Sequence, residues 1–525
     1  MARFQRKSPG WAMTRARSVA PQRILFAASE IFPLAKTGGL ADVCASLPAA
    51  LAGLGAEVQL VMPGYEQALD LADRPHVTAT LDNVLGFENV RIITARTPDT
   101  ALPINLIDIP ELYRNGGIYQ NADGSDRDDN AVRFGVFGQA AAQIAAGRGG
   151  STWHPNIVHC NDWQTGLVPL MLRELCGPEM PATVFTAHNM MFQGLFPWEG
   201  RTALRLPTND GIEAGLGLHG QLSFLKAGLY FSDSLTTVSP TYAREIQTPD
   251  YGYGLEGLVR ARGGHLTGIL NGIDSVFWDP SGNTRLAARY SAQDLSGKRY
   301  CKNALQRELG LVEDENAPLI IFVGRLTWQK MADILRDCLP AILAREPDRQ
   351  FALLGQGERG LEDGFRSIAA AFPGRVSVQI GYCEDRAHRI HAGGDILLHG
   401  SQFEPCGLTQ LYAMRFGTIP IVRPVGGLAD TVVHASEQAL VDGTATGVWF
   451  EEPSAEAMIS AVDHAIWLYR QPLTWRRLQR VAMGVDSSWD RSARQYLALY
   501  SRLRAHRLGA AAGQDADIDA VRESA

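Results

Sequence analysis

Two successive sets of apolar runs constrain the fold of this chain most, because each run has the length of a strand and precedes a segment with the length of a helix. This alternation predicts parallel sheets with crossover helices. The runs of the first set span residues 24–28, 58–62, 90–95, 105–109, 157–160, 183–187 and 234–238. Those of the second set span residues 319–323, 351–354, 376–380, 396–399, 419–422 and 448–450. We therefore predict an α/β protein in which each set builds its own sheet.

A less regular stretch around residues 248–272 separates the two sets, and we place the domain boundary near residue 265. A chain of 525 residues is long enough for two or three domains. The predicted segments are a disordered N-terminal extension over 1–21, a first domain over 22–265, a second domain over 266–485, a helix over 486–507 that crosses back to the first domain, and a disordered tail over 508–525.

Composition excludes several classes of protein. The net charge of -7 gives no overall attraction to nucleic acid or to an anionic membrane surface. The seven cysteines are scattered without a CxxC or Cys/His cluster, which favours reduced thiols in the cytoplasm over a disulfide framework or a zinc site. No apolar run has the length of a membrane span. We expect a cytoplasmic protein with no metal, no cofactor, and no nucleic-acid or membrane partner.

Two glycine-containing loops lie between a predicted strand and a predicted helix, at residues 36–42 and 401–410. Free amides and the positive end of the helix dipole attract anions at such a position. Both loops follow the carboxyl end of a strand, where open α/β sheets bind ligands. Each is also compatible with a plain connection, but together they suggest a diphosphate held between two domains.

Two cations follow the strand at 319–323, in the segment Gly324-Arg325-Leu326-Thr327-Trp328-Gln329-Lys330. Arg325 can bind two phosphate oxygens at once, and Lys330 adds a compact charge. The alternative is a solvated loop in which both cations pair with surface acids. Because Arg325 and Lys330 are expected to face the start of the helix that follows Glu404, we interpret them as a pair that binds the leaving group.

Two further polar residues follow strands of the first set. His188 comes after the strand at 183–187, where a structural role is the common alternative for a single histidine. Asp162 comes after the strand at 157–160 and begins a predicted helix, where an N-cap is the alternative to a sugar contact. The expected position in a cleft favours a functional role for Asp162, whereas for His188 the pattern by itself favours the structural role.

Other motifs point to sites that we do not expect. The segment 355–360 matches GxGxxG, but it follows the second strand of its set and lacks the acidic residue expected after a dinucleotide fingerprint. The acidic residues around Asp126-Arg127-Asp128 lie in a polar loop that is better interpreted as solvated than as a metal site.

A set of motifs follows in order along the chain from Arg23 to Tyr500: SEIFPLAKTGGLADV, HCNDWQTGL, FTAHNMMFQG, SFLKAGLYFSD, TTVSPTYAREI, GILNGID, GRLTWQK, FEPCGLTQLYAMRFG and GGLADTV. These ordered motifs resemble those of bacterial members of the ADP-glucose-dependent glycogen/starch synthase family. The resemblance implies a GT-B fold, with two Rossmann-like parallel-sheet domains facing across a deep cleft. The domain over 22–265 would be the acceptor side, and that over 266–485 the nucleotide-sugar side.

The resemblance also implies the activity: transfer of glucose from ADP-glucose to the non-reducing 4-OH of an α-1,4-glucan, with retention and release of ADP. The implied catalytic residues are Glu404, His188, Arg325, Lys330 and Asp162. The implied ADP-glucose-binding residues are Lys36, Gly38, Gly39, Asp42, Tyr382, Cys406, Gly407, Leu408 and Thr409. Tyr382 would stack on adenine, and the loop 406–409 would present amides to the distal phosphate. A homo-oligomer is compatible with the sequence.

Two positions depart from the family pattern. Met331 follows Lys330 where the family usually has glycine, and Gln402 stands where it usually has arginine. The first change affects the loop backbone, because only glycine adopts positive φ freely, and the second removes a charge beside Glu404. These departures keep one alternative open, a catalytically silent glucan-binding module. A transferase acting on sucrose, trehalose or a lipid is another alternative.

Overall fold

The computed structural model describes residues 21–121, 124–150 and 152–523. The strands of its first half are β1 (Arg23–Ala27), β2 (Glu57–Pro63), β3 (Asp73–Leu81), β4 (Val90–Arg96), β5 (Pro103–Asp108), β6 (Ile157–Asn161), β7 (Ala182–Ala187), β8 (Leu195–Pro197), β9 (Gly217–Leu218), β10 (Gln221–Ser223), β11 (Ser234–Thr237) and β12 (Leu266–Gly268). In these ranges, nine of the strands form one sheet in the order β12-β11-β7-β6-β1-β2-β5-β4-β3. The short strands β8, β10 and β9 form a separate sheet.

The helices of the first half cover both faces of the large sheet, as crossover connections require. They are α1 (Gly39–Gly53), α2 (Glu66–Leu71), α3 (Pro110–Tyr113), α4 (Asn130–Ala145), α5 (Val168–Cys176), α6 (Gly200–Ala203), α7 (Asp210–Leu216), α8 (Phe224–Phe231), α9 (Pro240–Glu245), α10 (Pro249–Gly252) and α11 (Glu256–Ala261).

The second half repeats the plan with a smaller, wholly parallel sheet. Its strands are β13 (Leu319–Val323), β14 (Gln350–Gly355), β15 (Val376–Ile380), β16 (Ile396–His399), β17 (Ile419–Val422) and β18 (Val448–Trp449), ordered β15-β14-β13-β16-β17-β18. Its helices are α12 (Ser296–Leu309), α13 (Ala332–Ala344), α14 (Arg359–Ala371), α15 (Glu384–Gly393), α16 (Thr409–Arg415), α17 (Gly426–Thr431), α18 (Glu437–Asp442), α19 (Ala455–Tyr469) and α20 (Pro472–Met483). A final helix, α21 (Trp489–Glu523), follows them.

The two-domain α/β architecture predicted from the apolar runs is confirmed. One edge of the first sheet departs from the predicted parallel pairing, because β3 pairs antiparallel with β4 and β4 pairs antiparallel with β5. The connection between β4 and β5 covers only residues 97–102, which is too short for a crossover helix and therefore gives a hairpin. Strand β3 was not predicted from the sequence, because most of this edge strand is exposed and it shows no apolar run.

The apolar runs lie in two separate cores. The first core contains β1 with the strands beside it, and the second contains β13 and its neighbours. Strands β6, β7, β13 and β14 are buried at every position. This explains their continuous apolar pattern, since a parallel strand is covered on both faces. Their carboxyl ends therefore emerge from rigid, packed surroundings.

The chain crosses between the two cores at two adjacent places. The amide of Ile273 donates to the carbonyl of Ser487 at 2.8 Å, and a Cβ at Gly272 would lie 2.6 Å from the backbone nitrogen of Trp489. After the second crossing, α21 packs on the first core. Tyr500 is fully buried there, and its hydroxyl lies 2.7 Å from His159 Nδ1.

The domain bounds remain predictions. The extension over 1–21 lies, except for its last residue, outside the described residues. The tail predicted to be disordered from 508 differs from the structure, in which α21 continues to Glu523. The alanines at 510–512 have high helix propensity, which favours this continuation.

Candidate functional site

The loop between β1 and α1 reaches across to the second domain. Lys36 Nζ donates to Asp42 Oδ1 at 2.8 Å and lies 3.8 Å from Glu384 Oε2, at the start of α15. Lys36 Nζ also lies 5.7 Å from the ring centroid of Tyr382, which is 57% exposed. The structure thus brings Lys36, Asp42 and Tyr382 together, with the Tyr382 ring open to a stacking partner.

The two glycine loops of the sequence analysis meet in the structure. A Cβ at Gly39 would lie 3.7 Å from Leu408 Cδ1, whereas a Cβ at Gly38 would have nothing within 4 Å. Gly407 has φ +73°, and a side chain there would collide with Gln410. A glycine is therefore required just before α16, which begins at Thr409, and Cys406 is buried against the first core.

Glu30 is a site residue that the sequence analysis missed. It lies after β1, is almost fully buried, and accepts hydrogen bonds from the amide and hydroxyl of Thr37 and from the Tyr119 hydroxyl. Burial raises its pKa, although these hydrogen bonds oppose the effect. Glu30 therefore fixes the loop that carries Lys36. The signal was available, since Ser29-Glu30 is a polar pair directly after an apolar run.

Asp162 and His188 act as a unit rather than as separate loop residues. Asp162 precedes a short 3-10 turn but makes no capping hydrogen bond, so the N-cap interpretation is wrong. Its φ is +58°, and Oδ1 instead accepts from the amide of His188 at 2.7 Å. Burial raises the pKa of Asp162 to about 7, although backbone N–H groups partly offset it.

The hydrogen bonds of Asn161 define the tautomer of His188. Asn161 Nδ2 donates to the carbonyl of Ala27 at 3.0 Å, so its Oδ1 faces His188 Nε2, at 3.0 Å, as an acceptor. His188 Nε2 must then carry the proton, which leaves Nδ1 as an acceptor. Burial lowers the pKa of His188 to about 3, so the ring is neutral near pH 7.

The loop after β13 joins the two predicted cations to the Glu404 loop. Arg325 is exposed, and its Nη2 donates to Gln329 Oε1 at 3.1 Å. Gln329 in turn donates through Nε2 to the carbonyl of Phe403 at 3.3 Å. Lys330 Nζ donates directly to Glu404 Oε2. Gln329 is thus a positioning residue that the sequence analysis did not identify.

Glu404 is a buried carboxylate whose contacts converge on one oxygen. Besides Lys330, Ser401 Oγ donates to Oε2 at 3.0 Å, and His399 Nε2 lies 3.5 Å from the same atom. Burial alone would raise the pKa of Glu404, but the Lys330 ammonium and His399 outweigh it and hold the pKa well below its usual range. The side chain is therefore an anion at neutral pH.

Both departures from the family pattern have a structural counterpart. Met331 adopts the left-handed conformation, with φ +52°, so the backbone keeps a geometry that suits glycine at a cost of about 1–2 kcal/mol. The Met331 side chain is fully buried, and its sulfur lies 3.2 Å from where a Cβ at Gly400 would stand. Beside Gln402, Arg423 Nη1 donates to the Gln402 carbonyl at 2.8 Å, so a cation remains next to the loop.

The glycines of the GxGxxG match serve backbone packing. A Cβ at Gly355 would lie 2.0 Å from the carbonyl oxygen of Gly324, and one at Gly357 would lie 2.1 Å from that of Leu326. Both glycines are therefore required by the close approach of the loop that carries Arg325. This accounts for the pattern without a dinucleotide.

Two carboxylates connect the domains in a reciprocal way. Asp430 of α17 accepts hydrogen bonds from Ser239 Oγ and from the amide and hydroxyl of Thr241, at the start of α9. Glu245, at the end of α9, accepts from the amide of Gly426, at the start of α17. Each helix thus begins at a carboxylate from the other domain, where the helix dipole favours negative charge.

The described residues offer neither a cluster of metal ligands nor a membrane-spanning helix. In residues 21–121, 124–150 and 152–523, no group of three or more His, Cys, Asp or Glu residues could hold a metal ion. No helix in the same ranges has the length and apolar character to cross a bilayer.

Two family models match the chain. The model for the starch synthase catalytic domain matches residues 23–261, and the model for glycosyl transferases group 1 matches residues 308–475. A glycogen synthase of Burkholderia thailandensis is 54% identical over 92% of this chain and 91% of its own length. One of Thioalkalivibrio sulfidiphilus is 47% identical over 92% of this chain and 99% of its own length.

Solved structures show the same fold. The catalytic domain of starch synthase IV from Arabidopsis thaliana, bound to ADP and acarbose, superimposes with a TM-score of 0.82 at 30% identity, covering 93% of this chain and all of that one. A sucrose-phosphate synthase from Thermosynechococcus elongatus, at 17% identity and TM-score 0.58, shares the fold alone. The GT-B fold is thereby confirmed, and the chain belongs to the glycogen/starch synthase family of glycosyltransferases.

Proposed function

We propose that the protein transfers glucose from ADP-glucose to the non-reducing 4-OH of an α-1,4-glucan, with retention at the anomeric carbon and release of ADP. The contact of Lys330 with Glu404 beside Arg325 carries this proposal. In this contact, cations that can bind a diphosphate lie next to a buried anion that can stabilise the positive charge developing on a sugar. The Arabidopsis relative, solved with ADP and acarbose, supports a nucleotide diphosphate in this cleft.

The second domain would hold the donor. Arg325 and Lys330 would contact the diphosphate, and the amides of the loop 406–409 would face its distal phosphate. Tyr382, with its exposed ring, would stack on adenine, while Lys36 would close over the nucleotide-sugar from the first domain. Asp42 orients Lys36 through their 2.8 Å hydrogen bond.

Glu404 and His188 would hold the glucose from opposite domains. Among the described residues, the three polar contacts of the Glu404 carboxylate fall on Oε2, so Oε1 is the atom that would face the sugar. The neutral His188 ring offers Nδ1 to a sugar hydroxyl. Asp162, which binds the His188 amide, would fix that ring in the pocket.

The reaction proposed is a front-face displacement. The bond from the anomeric carbon to the distal phosphate breaks, the bond to the acceptor 4-oxygen forms on the same face, and the acceptor proton passes to the leaving phosphate oxygen. Arg325, Lys330 and the loop amides would stabilise the charge that builds on the diphosphate, by about 3–4 kcal/mol for each preorganised group. Glu404, held as an anion, would stabilise the oxocarbenium-like sugar.

Exclusion of water supports transfer over hydrolysis. The first glycine loop lies close to Leu408, because a Cβ at Gly39 would stand 3.7 Å from Leu408 Cδ1. Asp430 and Glu245 hold α9 and α17 together across the cleft. Closed contacts of this kind shield a reactive sugar from solvent. They also strengthen the electrostatic interactions inside the cleft.

The test is an assay of nucleotide release and glucan length with ADP-glucose and with UDP-glucose, each with and without glycogen. We expect glycogen-dependent ADP release and longer chains for the natural protein, and loss of both for Glu404→Gln. Glu452→Gln, which removes an exposed carboxylate, is the matched control and should retain full activity.

Other outcomes would reject the proposal in distinguishable ways. Glycogen binding without release of either nucleotide would indicate a silent glucan-binding module. Nucleotide release only with a small acceptor would indicate a transferase of another specificity. A glucosyl adduct on Glu404, detected by mass spectrometry, would replace front-face attack with a double displacement.

The cellular setting belongs to the same proposal. Each of the seven cysteines carries a free thiol, which supports a reducing compartment such as the cytoplasm. Size-exclusion chromatography with light scattering would test whether the protein forms a homo-oligomer. The boundary near residue 265 is also proposed, and limited proteolysis around residues 262–275 would test it.

A further inference from the structure

His399 is a buried histidine aimed at the proposed catalytic carboxylate. It ends β16, its side chain is only 4% exposed, and its Nε2 lies 3.5 Å from Glu404 Oε2. Among the described residues, Nε2 has no hydrogen-bond partner at ordinary distance. A ring nitrogen without a partner in a buried site is costly, so its nearest polar neighbour is informative.

The proposed function gives Lys330 two tasks that compete. In the structure its ammonium group binds Glu404 Oε2, yet the same group would contact the donor diphosphate. When Lys330 turns toward the phosphates, a buried carboxylate loses the cation that offsets its burial. Ser401 Oγ remains as a donor at 3.0 Å, but one neutral hydroxyl is a weak replacement for an ammonium group.

We propose that His399 is a positioning residue that donates Nε2–H to Glu404 Oε2 when Lys330 turns to the diphosphate. This inference rests on the proposed function. The approach of 3.5 Å must shorten by about 0.5 Å, as hydrogen bonds of active sites commonly do on substrate binding. Oε2 then keeps two donors, and Oε1 stays directed at the sugar.

The surroundings of His399 favour a neutral ring, and this role requires the tautomer in which Nε2 carries the proton. The charged and titratable groups that face it are Glu404, Lys330 and, from α15, His391. Burial lowers the pKa of His399, Lys330 lowers it further, and only Glu404 opposes them. The ring is therefore neutral near pH 7, and in the tautomer protonated at Nε2 it can donate to Glu404 without becoming charged.

The experiment compares His399→Leu and His399→Gln in the ADP-glucose and glycogen assay. Leucine removes the donor, and we expect kcat to fall about 10- to 100-fold, the effect of losing one hydrogen bond to a charged group. The donor KM should change less than about 3-fold, because His399 does not touch the substrate. Glutamine places an amide N–H near the position of Nε2 and should restore most of kcat.

His391→Leu is the matched control. His391 is as buried as His399 and lies near it on α15, and neither of its ring nitrogens has a partner among the described residues, but it makes no contact with Glu404. Its replacement should leave kcat unchanged. If His399→Leu does not fold, His399→Asn, whose shorter amide cannot reach Glu404, should show the same loss of kcat.

Several results would overturn the inference. Unchanged kcat in folded His399→Leu or His399→Asn would do so, as would equal impairment of His399→Gln and His399→Leu, since that would indicate packing alone. These results leave the proposed function intact. A natural protein that is silent with both ADP-glucose and UDP-glucose would instead reject the proposed function and this inference together.

Discussion

The two walls of the cleft each contain a buried carboxylate, and the two respond to burial in opposite ways. Asp162 follows β6 in the first domain, and its pKa is raised to about 7. Glu404 follows β16 in the second domain, and its pKa is held below the usual range. Both side chains are almost fully buried, so burial alone does not account for the difference.

The partners of each carboxylate account for the difference. Asp162 receives backbone N–H groups, whereas Glu404 contacts the ammonium group of Lys330. A nearby cation favours the charged form much more strongly than neutral donors do. Around Asp162 and His188 the first wall therefore presents a hydrogen-bonding surface with little fixed charge, suited to sugar hydroxyls. The second presents fixed charges, suited to a diphosphate and a developing cation.

The largest effect is expected from removing the Lys330 cation from the charged wall, the one that the second domain forms. Lys330→Gln should lower kcat about 100- to 1000-fold, because it removes stabilisation of the leaving diphosphate. Steady-state assay with ADP-glucose and glycogen measures this effect. A loss smaller than about 10-fold would contradict the electrostatic role given to this wall.

Lys302→Gln is the matched control, because Lys302 forms a buried ion pair with Asp395, at 2.7 Å, just before β16. This pair lies at the opposite end of the strand from Glu404. Breaking it should lower the free energy of unfolding by about 3–5 kcal/mol and leave kcat of the folded protein near normal. Urea denaturation separates the two outcomes.

The next effect concerns stability and pH. The raised pKa means that the folded protein holds the Asp162 proton more tightly than the unfolded chain does. This proton binding stabilises the folded state fully below the usual pKa of 3.8, and the stabilisation is lost as pH rises through the folded-state pKa of about 7. The free energy of unfolding of Asp162→Asn, relative to the natural protein, should therefore increase by about 3 kcal/mol from pH 5 to pH 8.

Glu404 should show the opposite sign. Its contribution to stability is present above its usual pKa of 4.5 and is lost as pH falls toward the lowered pKa of the folded state. The stability difference between the natural protein and Glu404→Gln should shrink from pH 5 to pH 3. Urea denaturation midpoints of Asp162→Asn, Glu404→Gln and the natural protein, measured at each pH, test both predictions. The same pH trend in both variants would contradict the contrast between the two walls.

A smaller effect is expected from uncoupling the walls. Asp430→Ala removes the carboxylate that binds Ser239 and Thr241, and the donor KM should rise about 10-fold because closure loses hydrogen bonds to a charged group. Small-angle X-ray scattering should show a larger radius of gyration for this variant than for the natural protein. Asp442→Ala, at an exposed carboxylate of α18, should change neither quantity.

The smallest effect is expected from a change in the packing behind the wall that the second domain forms. A Cβ added at Gly400 would lie 3.2 Å from Met331 Sδ and 3.3 Å from Met458 Cε, so Gly400→Ala should destabilise the protein by about 1 kcal/mol. Thermal unfolding measures the effect. Gly360→Ala in α14, where a Cβ meets nothing within 4 Å, should not destabilise the protein.

The sequence predicted what depends on local pattern. The buried strands were found because they are continuously apolar. Glu404, Lys330 and His188 were singled out because each follows such a strand and because the family resemblance implies a role for it, and these roles stay predictions. The tautomer of His188, the strained φ of Asp162 and the approach of His399 to Glu404 were not predictable. They depend on contacts between segments that pattern alone does not bring together, such as Asn161 with His188.

The antiparallel edge was missed for a related reason. Strand β3 is largely exposed, so it carries no apolar signal, and its pairing with β4 depends on short connections rather than on composition. Glu30 was missed even though its position after β1 resembles that of Asp162 after β6. Its importance lies in the hydrogen bonds with Thr37 and Tyr119, which become visible only when the loop is folded.

The return of α21 to the first core has a consequence for synthesis on the ribosome. Trp489, Tyr496 and Tyr500 belong to the core that begins with β1, yet they are translated after the whole second domain. The first domain to emerge is thus the last to be completed, and until then the surface that these aromatic side chains cover stays open to solvent. Chains arrested before Trp489 should therefore recruit chaperones through their first domain, although its sheet is already fully translated.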